Sequence, residues 1–396
     1  MAKHLGTVVR GIRTPIISQN DDLVKIVIDS LLNTVNSENI TLQKRDVLGI
    51  TEAVVARAQG NYANADHIAE DIRKKFPGKT AGIVFPILSR NRFAACLRGI
   101  ARGLDKVFVM LSYPSDEVGN HLVEYDDLDN CDINPFTDVL DERKYRELFG
   151  EKVHVFTGID YVEHYKEIIE NEGAEPVFIF ANSPKEILKH TEHVLCCDIH
   201  TRERTKRLLT KAGAKSVFTL DDVMNKPVNG SGYNDVYGLL GSNKATEDSV
   251  KLFPRDSEAF AQKVQAMIKE KSGIEIEVMV YGDGAFKDPV GRIWELADPV
   301  VSPGYTSGLA GTPNEIKLKY LADSKFSGLS GDELKEAISE EIRKKDVNLI
   351  GKAESGGTTP RRYTDLLGSL CDLTSGSGDK GTPVVLIQGY FDNYAD

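Results

Sequence analysis

The sequence has few cysteines and no excess of positive charge. Its 396 residues include five cysteines, and none of these forms a C-x-x-C pair. A disulfide framework or a structural zinc site is therefore not expected, and a reducing cytoplasm fits best. Acidic residues outnumber basic residues by 60 to 49, which gives a formal net charge of -11. This balance argues against nucleic acid or an anionic membrane surface as the main partner.

Long apolar runs are also missing. No stretch approaches the roughly 18 apolar residues of a membrane-spanning helix, and the N-terminus lacks an apolar segment of signal-peptide length. We therefore expect a cytoplasmic protein with no membrane partner. The histidines form no H-E-x-x-H pattern, and no G-x-S-x-G nucleophile turn occurs.

Short apolar strands alternate with helical patterns along most of the chain. This alternation, with short connections, predicts an α/β to α+β fold with mixed sheets and an expanded middle region. From the length we expect two or three domains, placed at residues 1–115, 116–249 and 250–396. The predicted strands include "HLGTVVRGI", "RDVLGIT", "TAGIVFPI", "DKVFVMLSYP", "KVHVFTGI", "PVFIFAN", "HVLCCDI", "KSVFTL" and "IEIEVMVYG". The predicted helices include "DDLVKIVIDSLLNTV", opened by Asp21 and Asp22 as acidic caps, "NADHIAEDIRKKFPG" and "GDELKEAISEEIRKKD".

An acidic turn at residues 281–299, "YGDGAFKDPVGRIWELADP", follows one of these strands. Asp283 and Asp288 lie across the turn, where carboxylates can hold Mg²⁺ or Mn²⁺. Arg292 could bind a phosphate or a carboxylate with its planar guanidinium. The alternative is an ordinary turn, because glycine and aspartate are common in turns.

A glycine-rich loop near the C-terminus, "SGSGDKGTPVVLIQG", precedes a strand. Its backbone N–H groups could surround phosphates, with Lys380 as a point charge. The order of residues is not that of a Walker A loop. A plain hairpin or connecting loop is the alternative.

Two further stretches could contact an anion. In "RGIRTPIISQNDDL", Arg10 and Arg13 flank a turn that leads into a helix N-terminus, a position that favours anions. In "TEAVVARAQGNY", Glu52 and Arg57 follow the end of a strand. An ordinary strand–turn–helix connection is the alternative for the first stretch, and a strand that runs into a plain turn is the alternative for the second. Cys196 and Cys197 are adjacent on a predicted strand and point to opposite faces, so a structural role is expected for them.

Taken in order, four segments resemble the coenzyme F(420)-0:gamma-glutamyl ligase family. The segment "TPIISQNDDL" is similar to the family's Gly-x-Pro turn before an acidic pair, and "ITEAVVARAQG" is similar to its strand ending in Ala-Glu-Gly. The segment "DPVGRIW" is similar to the metal-holding Asp-Thr-x-Gly-Arg-Pro-Trp block, and "GSGDKGTPVVLIQG" is similar to the nucleotide-contacting stretch. The resemblance covers about a third of the chain and is weak between residues 115 and 275.

This resemblance implies an activity and its cofactors. Family members join L-glutamate to a carboxylate of an acceptor, which GTP activates as an acyl phosphate in the presence of divalent metals. For this chain it implies a cytoplasmic homodimer that uses GTP or ATP with Mg²⁺ or Mn²⁺. Its partners would be a small-molecule acceptor, L-glutamate and the nucleotide, with no nucleic acid.

The resemblance also assigns roles to particular residues. Asp288 would be a metal ligand and Arg292 would act beside it in catalysis. Asp283, Asp105 and Ser377 are further candidate metal ligands, with Asp116 an alternative to Asp105. The nucleotide would be contacted by a set drawn from three of the four segments: Pro15, Glu52, Ala53, Arg57, Ser377, Gly378, Asp379, Lys380 and Gly381.

Several positions depart from the family pattern. Pro289 replaces a threonine beside the metal aspartate, Ser377 replaces a glutamine, and Arg57 replaces a lysine. A different acceptor, such as a folate in place of a deazaflavin, is therefore as plausible as the one in the family name. A non-catalytic nucleotide- or cofactor-binding protein with the same fold is the second interpretation. A dehydrogenase is the third, and no dinucleotide fingerprint between a strand and a helix supports it.

Overall fold

A computed structural model describes residues 5–282, 301–345, 347–356, 358, 361–375 and 379–395. The strands are, in chain order, β1 (Val8–Ile12), β2 (Val47–Thr51), β3 (Tyr62–Asn64), β4 (Thr80–Val84), β5 (Lys106–Leu111), β6 (Leu140–Asp141), β7 (Glu175–Phe180), β8 (His193–Cys196), β9 (Ser216–Thr219), β10 (Asn243–Thr246), β11 (Ser249–Lys251), β12 (Glu277–Tyr281), β13 (Gly304–Tyr305) and β14 (Val384–Gln388).

The helices are, in the same order, α1 (Leu23–Ser37), α2 (Glu52–Ala58), α3 (Ala65–Lys75), α4 (Phe93–Arg102), α5 (Tyr125–Asp129), α6 (Glu142–Phe149), α7 (Tyr161–Asn171), α8 (Arg202–Lys211), α9 (Ser257–Ser272), α10 (Leu318–Asp323), α11 (Gly331–Lys344) and α12 (Tyr363–Ser375). The mixed α/β content confirms the predicted fold class. No helix among the described residues is long and apolar enough to cross a membrane.

The start of α1 shows how local sequence sets an element. The carboxylate of Asp22 accepts a hydrogen bond from the Lys25 backbone N–H at 3.1 Å, as expected of an N-cap. Asp21 accepts instead from the Ser18 N–H at 2.7 Å, within the preceding turn. The predicted cap is therefore Asp22, and Asp21 stabilises the turn that leads to it.

One predicted strand is wrong. The run "KVHVFTGI" alternates apolar and polar residues, but Val153, Val155 and Phe156 are exposed and the run is a loop. The Gly158 N–H donates to the His154 carbonyl at 2.8 Å, and Gly158 has a φ of 67°. A glycine in this left-handed conformation turns the chain back before a strand can pair.

The five-stranded sheet combines both ends of the chain. Its order is β1-β14-β2-β12-β13, with β14 antiparallel to both β1 and β2 and with β12 parallel to β2. Helices α1 and α9 pack on one face, where Val27 and Val264 are buried. Helix α12 packs on the other face through Leu367 and Cys371. The first and last strands of the chain therefore lie side by side.

The six-stranded sheet has the order β6-β7-β5-β4-β8-β9. All neighbouring strands from β7 to β9 are parallel, and only β6 is antiparallel, at the edge. Counted along the chain, the five parallel strands follow the doubly wound order 3-2-1-4-5. The predicted fold has mixed sheets, and no local pattern in the sequence predicts this doubly wound order.

A three-stranded sheet joins the hairpin of β10 and β11 to β3. Because β3 follows α2 directly, this pairing brings the hairpin beside the end of β2. The six-stranded sheet takes β4 and β5 from before residue 115, and β11 begins at residue 249 and so spans the second predicted boundary. The three-part division of the chain therefore remains a prediction.

Candidate functional site

A cavity of about 760 Å³ opens on the side of the five-stranded sheet where its strands begin and end. Its lining comes from the residues that follow β1 and β2, from the end of β12, from the residues before β14, and from the β10–β11 hairpin. Since β1, β2 and β12 end on this side of the sheet and β14 begins there, the strand order brings their flanking segments together. The pairing of β11 with β3 adds the hairpin. We call this cavity the cleft.

Backbone hydrogen bonds fix the segments around the cleft. The Thr14 N–H donates to the Gly381 carbonyl at 3.3 Å, and the Thr51 N–H donates to the Pro383 carbonyl at 3.0 Å. The Arg13 side chain donates to the Lys380 carbonyl at 3.4 Å. The N-terminal turn, the end of β2 and the C-terminal loop thus form one surface.

Several residues predicted to contact a nucleotide lie in or beside this cleft. Pro15, Glu52, Ala53 and Gly381 line it. Arg57 lines an adjoining cavity of about 560 Å³, and its Nε donates to the carbonyl of Ile17 in the N-terminal turn. The predicted residues Asp379 and Lys380 directly precede Gly381 in the same loop.

Other predicted residues lie outside the described part of the chain. These are Asp283, Asp288, Arg292, Ser377 and Gly378. The described residues that flank the first group are near the cleft: Tyr281 lines it, and the Gly282 N–H donates to the Val301 carbonyl at 2.8 Å.

Asp105 lies away from the cleft. It precedes β5, its side chain is 73% exposed, and its carboxylate is 3.4 Å from Lys79 Nζ. The alternative, Asp116, is buried and accepts hydrogen bonds from the Leu88 and Asn120 N–H groups. Burial raises the pKa of Asp116 to about 6. Neither aspartate is among the described residues that line the cleft.

The described residues alone do not form a metal site. No group of three or more His, Cys, Asp or Glu side chains that could hold an ion occurs in the described ranges. The metal role of Asp283 and Asp288 stays a prediction, because both residues lie outside these ranges. We therefore derive no chemical step through a metal.

The adjacent cysteines occupy structural positions. Cys197 belongs to the core on one face of the six-stranded sheet, and Cys196 belongs to the core on the other face. Burial raises the pKa of both thiols, which keeps them protonated. This placement agrees with the structural role expected from the sequence.

Sequence reasoning missed the most deeply buried ion pair at the cleft. Lys251, at the end of β11, places its Nζ 2.7 Å from Glu52 Oε1, and the two side chains are only 12% and 6% exposed. Glu52 Oε2 is buried and has no hydrogen-bond partner among the described residues. Nothing local in "TEDSVKLF" marks this lysine, because only the pairing of β11 with β3 brings it to Glu52.

Comparison with known proteins bears on what this site does. A comparison with curated protein sequences gives no significant match. The sequence profile described as F420-0:Gamma-glutamyl ligase matches residues 11–389, which is nearly the whole chain. The match spans the N-terminal turn, the end of β2 and the C-terminal loop that together border the cleft. The chain therefore belongs to the F420-0:gamma-glutamyl ligase family and is an enzyme of the ligase class that adds glutamate.

Proposed function

We propose that this ligase uses GTP or ATP to join L-glutamate, or a similar amino acid, to a carboxylate of a cofactor-like acceptor. The observation that carries the proposal is the meeting of Pro15, Glu52, Ala53 and Gly381 at one cleft. These residues come from three segments that the family resemblance assigns to the nucleotide. The cavity of about 760 Å³ lies within the usual range of roughly 300–1,000 Å³ for small-molecule sites.

In this proposal the phosphates lie between the N-terminal turn and the C-terminal loop. Lys380 supplies a positive charge on that loop, and Arg57 supplies another at the adjoining cavity. The carboxylate of the acceptor attacks the γ-phosphorus, the bond from the γ-phosphorus to the bridging oxygen breaks, and the nucleoside diphosphate leaves with the electron pair. Placing the acceptor in line with this bond is the main task of the protein.

The amino acid reacts in the second half of the reaction. Its neutral amine attacks the carbonyl carbon of the acyl phosphate, a C–N bond forms, and the C–O bond to phosphate breaks. Phosphate takes the electron pair together with the proton that the nitrogen releases, and so leaves as hydrogen phosphate. We propose Mg²⁺ or Mn²⁺ as the metal and Asp288 as its ligand on the sequence resemblance, with Asp283 and Ser377 as further candidates. Asp105, which the resemblance also allowed, lies away from the cleft and is the weakest of the candidates. Arg292 would orient a phosphate or a carboxylate.

Thermal unfolding with a ligand panel tests the proposal. GTP or ATP with Mg²⁺ or Mn²⁺ should raise the melting temperature of the full chain, because a ligand at about 100 times its Kd stabilises the folded state by about 2.7 kcal/mol. In Asp288→Asn, the part of the shift that depends on metal should disappear. The exposed Asp323→Asn serves as a matched control and should behave like the wild type.

Turnover then separates the ligase from a binding protein. With nucleotide, metal, L-glutamate and deazaflavin or folate acceptors, the wild type should release nucleoside diphosphate and phosphate. Nucleotide binding that is independent of metal and gives no turnover with any acceptor would contradict the proposal and favour the non-catalytic alternative. The homodimer implied by the resemblance can be checked on the same samples by sedimentation velocity.

A further inference from the structure

In the buried ion pair of Glu52 and Lys251, each charged group keeps hydrogen-bonding capacity that the pair itself does not use. Lys251 Nζ has three N–H bonds, and Glu52 is its only hydrogen-bond partner among the described residues. Glu52 Oε2 accepts no hydrogen bond from any described residue. A buried acceptor without a partner costs about 1–3 kcal/mol, so a pair left in this state points to a missing donor.

The pair also borders both cavities. Glu52 lines the cleft, and Lys251 lines both the cleft and the adjoining cavity of about 560 Å³. Lys251 therefore stands at the junction of the two cavities with Glu52 beside it, and the covered Glu52 Oε2 reaches a ligand once its side chain turns toward the cleft. One cavity would hold the nucleotide in the proposed function, and the junction is open to a second substrate.

The charges select the class of ligand. An isolated phosphate or carboxylate would bring a negative charge against the Glu52 carboxylate, and an isolated cation would face the ammonium of Lys251. A zwitterion avoids both repulsions, because its ammonium can donate to Glu52 Oε2 while its carboxylate accepts from Lys251 Nζ. An α-amino acid carries both groups on one carbon, which suits a pair whose own charged atoms are 2.7 Å apart.

We propose that the Glu52–Lys251 pair binds the α-ammonium and α-carboxylate groups of the amino-acid substrate. The inference rests on the proposed ligase function and gives Glu52 to the amino acid, which leaves Pro15, Ala53 and the C-terminal loop to the nucleotide. It explains why an ion pair is buried at the cleft, since burial of a charged pair is stabilising only when further hydrogen bonds complete it. Both groups act here by positioning the amino group at the edge of the nucleotide cavity, where its ammonium form gives a proton to solvent before the neutral amine attacks.

Calorimetric titration of the full chain with three ligands tests this site, with and without GDP. The ligands are L-glutamate, glutarate, which lacks the α-amino group, and 4-aminobutyrate, which lacks the α-carboxylate. The wild type should bind L-glutamate at least about ten-fold more tightly than either analogue, since each lost charged hydrogen bond is worth at least that factor. Equal affinity for all three ligands, or no binding of L-glutamate, would overturn the inference without any variant.

Two variants assign the contacts. In Glu52→Gln, the preference for L-glutamate over glutarate should fall towards unity, while the preference over 4-aminobutyrate persists. In Lys251→Met, the preference for L-glutamate over 4-aminobutyrate should fall towards unity, while the preference over glutarate persists. Glu175→Gln is the matched control, because the Lys106–Glu175 pair has the same N–O distance of 2.7 Å but is exposed and does not line the cleft. Unchanged preferences in both folded variants would refute the site, and Lys251→Met decides alone if Glu52→Gln does not fold.

The nucleotide panel keeps this result separate from the proposed function. If nucleotide still raises the melting temperature but the variants keep wild-type selectivity, the amino-acid site is wrong and the ligase proposal stands. If no nucleotide binds but the variants change selectivity as expected, the amino-acid site stands and the nucleotide-dependent ligase proposal is wrong.

Discussion

Two glutamate–lysine ion pairs of equal length differ in how deeply they are buried. The charged atoms of Glu52 and Lys251 are 2.7 Å apart with side chains 6% and 12% exposed. Those of Glu175 and Lys106 are also 2.7 Å apart, but the side chains are 64% and 35% exposed. Solvent screens the second pair, whereas removal of Glu52 would leave the ammonium of Lys251 buried without a counter-charge.

The stability of two alanine variants should show this difference. We expect Glu52→Ala to lower the free energy of unfolding by about 3–5 kcal/mol, the usual cost of an uncompensated buried charge. Glu175→Ala should lower it by no more than about 1 kcal/mol. Urea denaturation at pH 7 measures both values. Similar losses in the two variants would mean that burial at the cleft does not govern the strength of the pair.

Individual residues also mark the limit of the sequence prediction. Glu52 was found because it lies in a segment that resembles a family motif. Lys251 has no motif around it, and its partner lies about two hundred residues earlier in the chain. Local pattern cannot reveal such a pair, because the contact depends on strand pairing between β11 and β3.

At the scale of elements, α3 and α4 are held close by glycines at their contact. A Cβ atom added at Gly99 would lie 2.6 Å from the Cβ of Ile68. One added at Gly103 would lie 2.9 Å from the carbonyl oxygen of Ala69, which is backbone and cannot move aside easily. The helices can therefore approach only because these two positions lack side chains.

Alanine at these positions should push α4 away from α3. We expect Gly99→Ala or Gly103→Ala to lower the free energy of unfolding by about 1–3 kcal/mol through overpacking. Gly78→Ala is the control, since nothing lies within 4 Å of the added Cβ, and it should be neutral or slightly stabilising. Thermal and urea unfolding measure the effect, and a neutral Gly103→Ala would show that the contact can relax.

Helices and strands whose apolar residues recur at a regular spacing were predictable from the sequence. The helices α1, α3 and α11 and most strands match the predicted segments, because their apolar spacing is set within a few residues. Two differences have local causes. The segment after β2 continues as the helix α2 where a turn was expected, and "KVHVFTGI" turns at Gly158 and finds no partner strand.

The arrangement of the whole molecule was far less predictable. Fold class follows from the alternation of strands and helices, but the order of strands depends on contacts between distant segments. β14 lies between β1 and β2, and no local signal in "VVLIQ" says so. The same long-range pairing creates the cleft, so the sequence could name residues such as Pro15 and Gly381 but could not derive their meeting.

This topology makes the five-stranded sheet depend on the C-terminus. β14 supplies hydrogen bonds to both β1 and β2, and its residues Val384, Val385, Leu386 and Ile387 are fully buried. A chain that ends at residue 381 should therefore lose this sheet and the cleft together. The six-stranded sheet, whose strands all lie between residues 80 and 219, has its own buried core and should persist.

Amide hydrogen exchange on the full and shortened chains measures this outcome. In the shortened chain, the amides of β2 and β12 should exchange rapidly, while those of β4, β5 and β8 should stay protected. The melting shift with nucleotide should disappear as well. Leu386→Ala is the milder companion variant, and we expect it to destabilise by about 2–5 kcal/mol while keeping the cleft. Loss of amide protection in both sheets would instead mean that the six-stranded sheet cannot fold without β14.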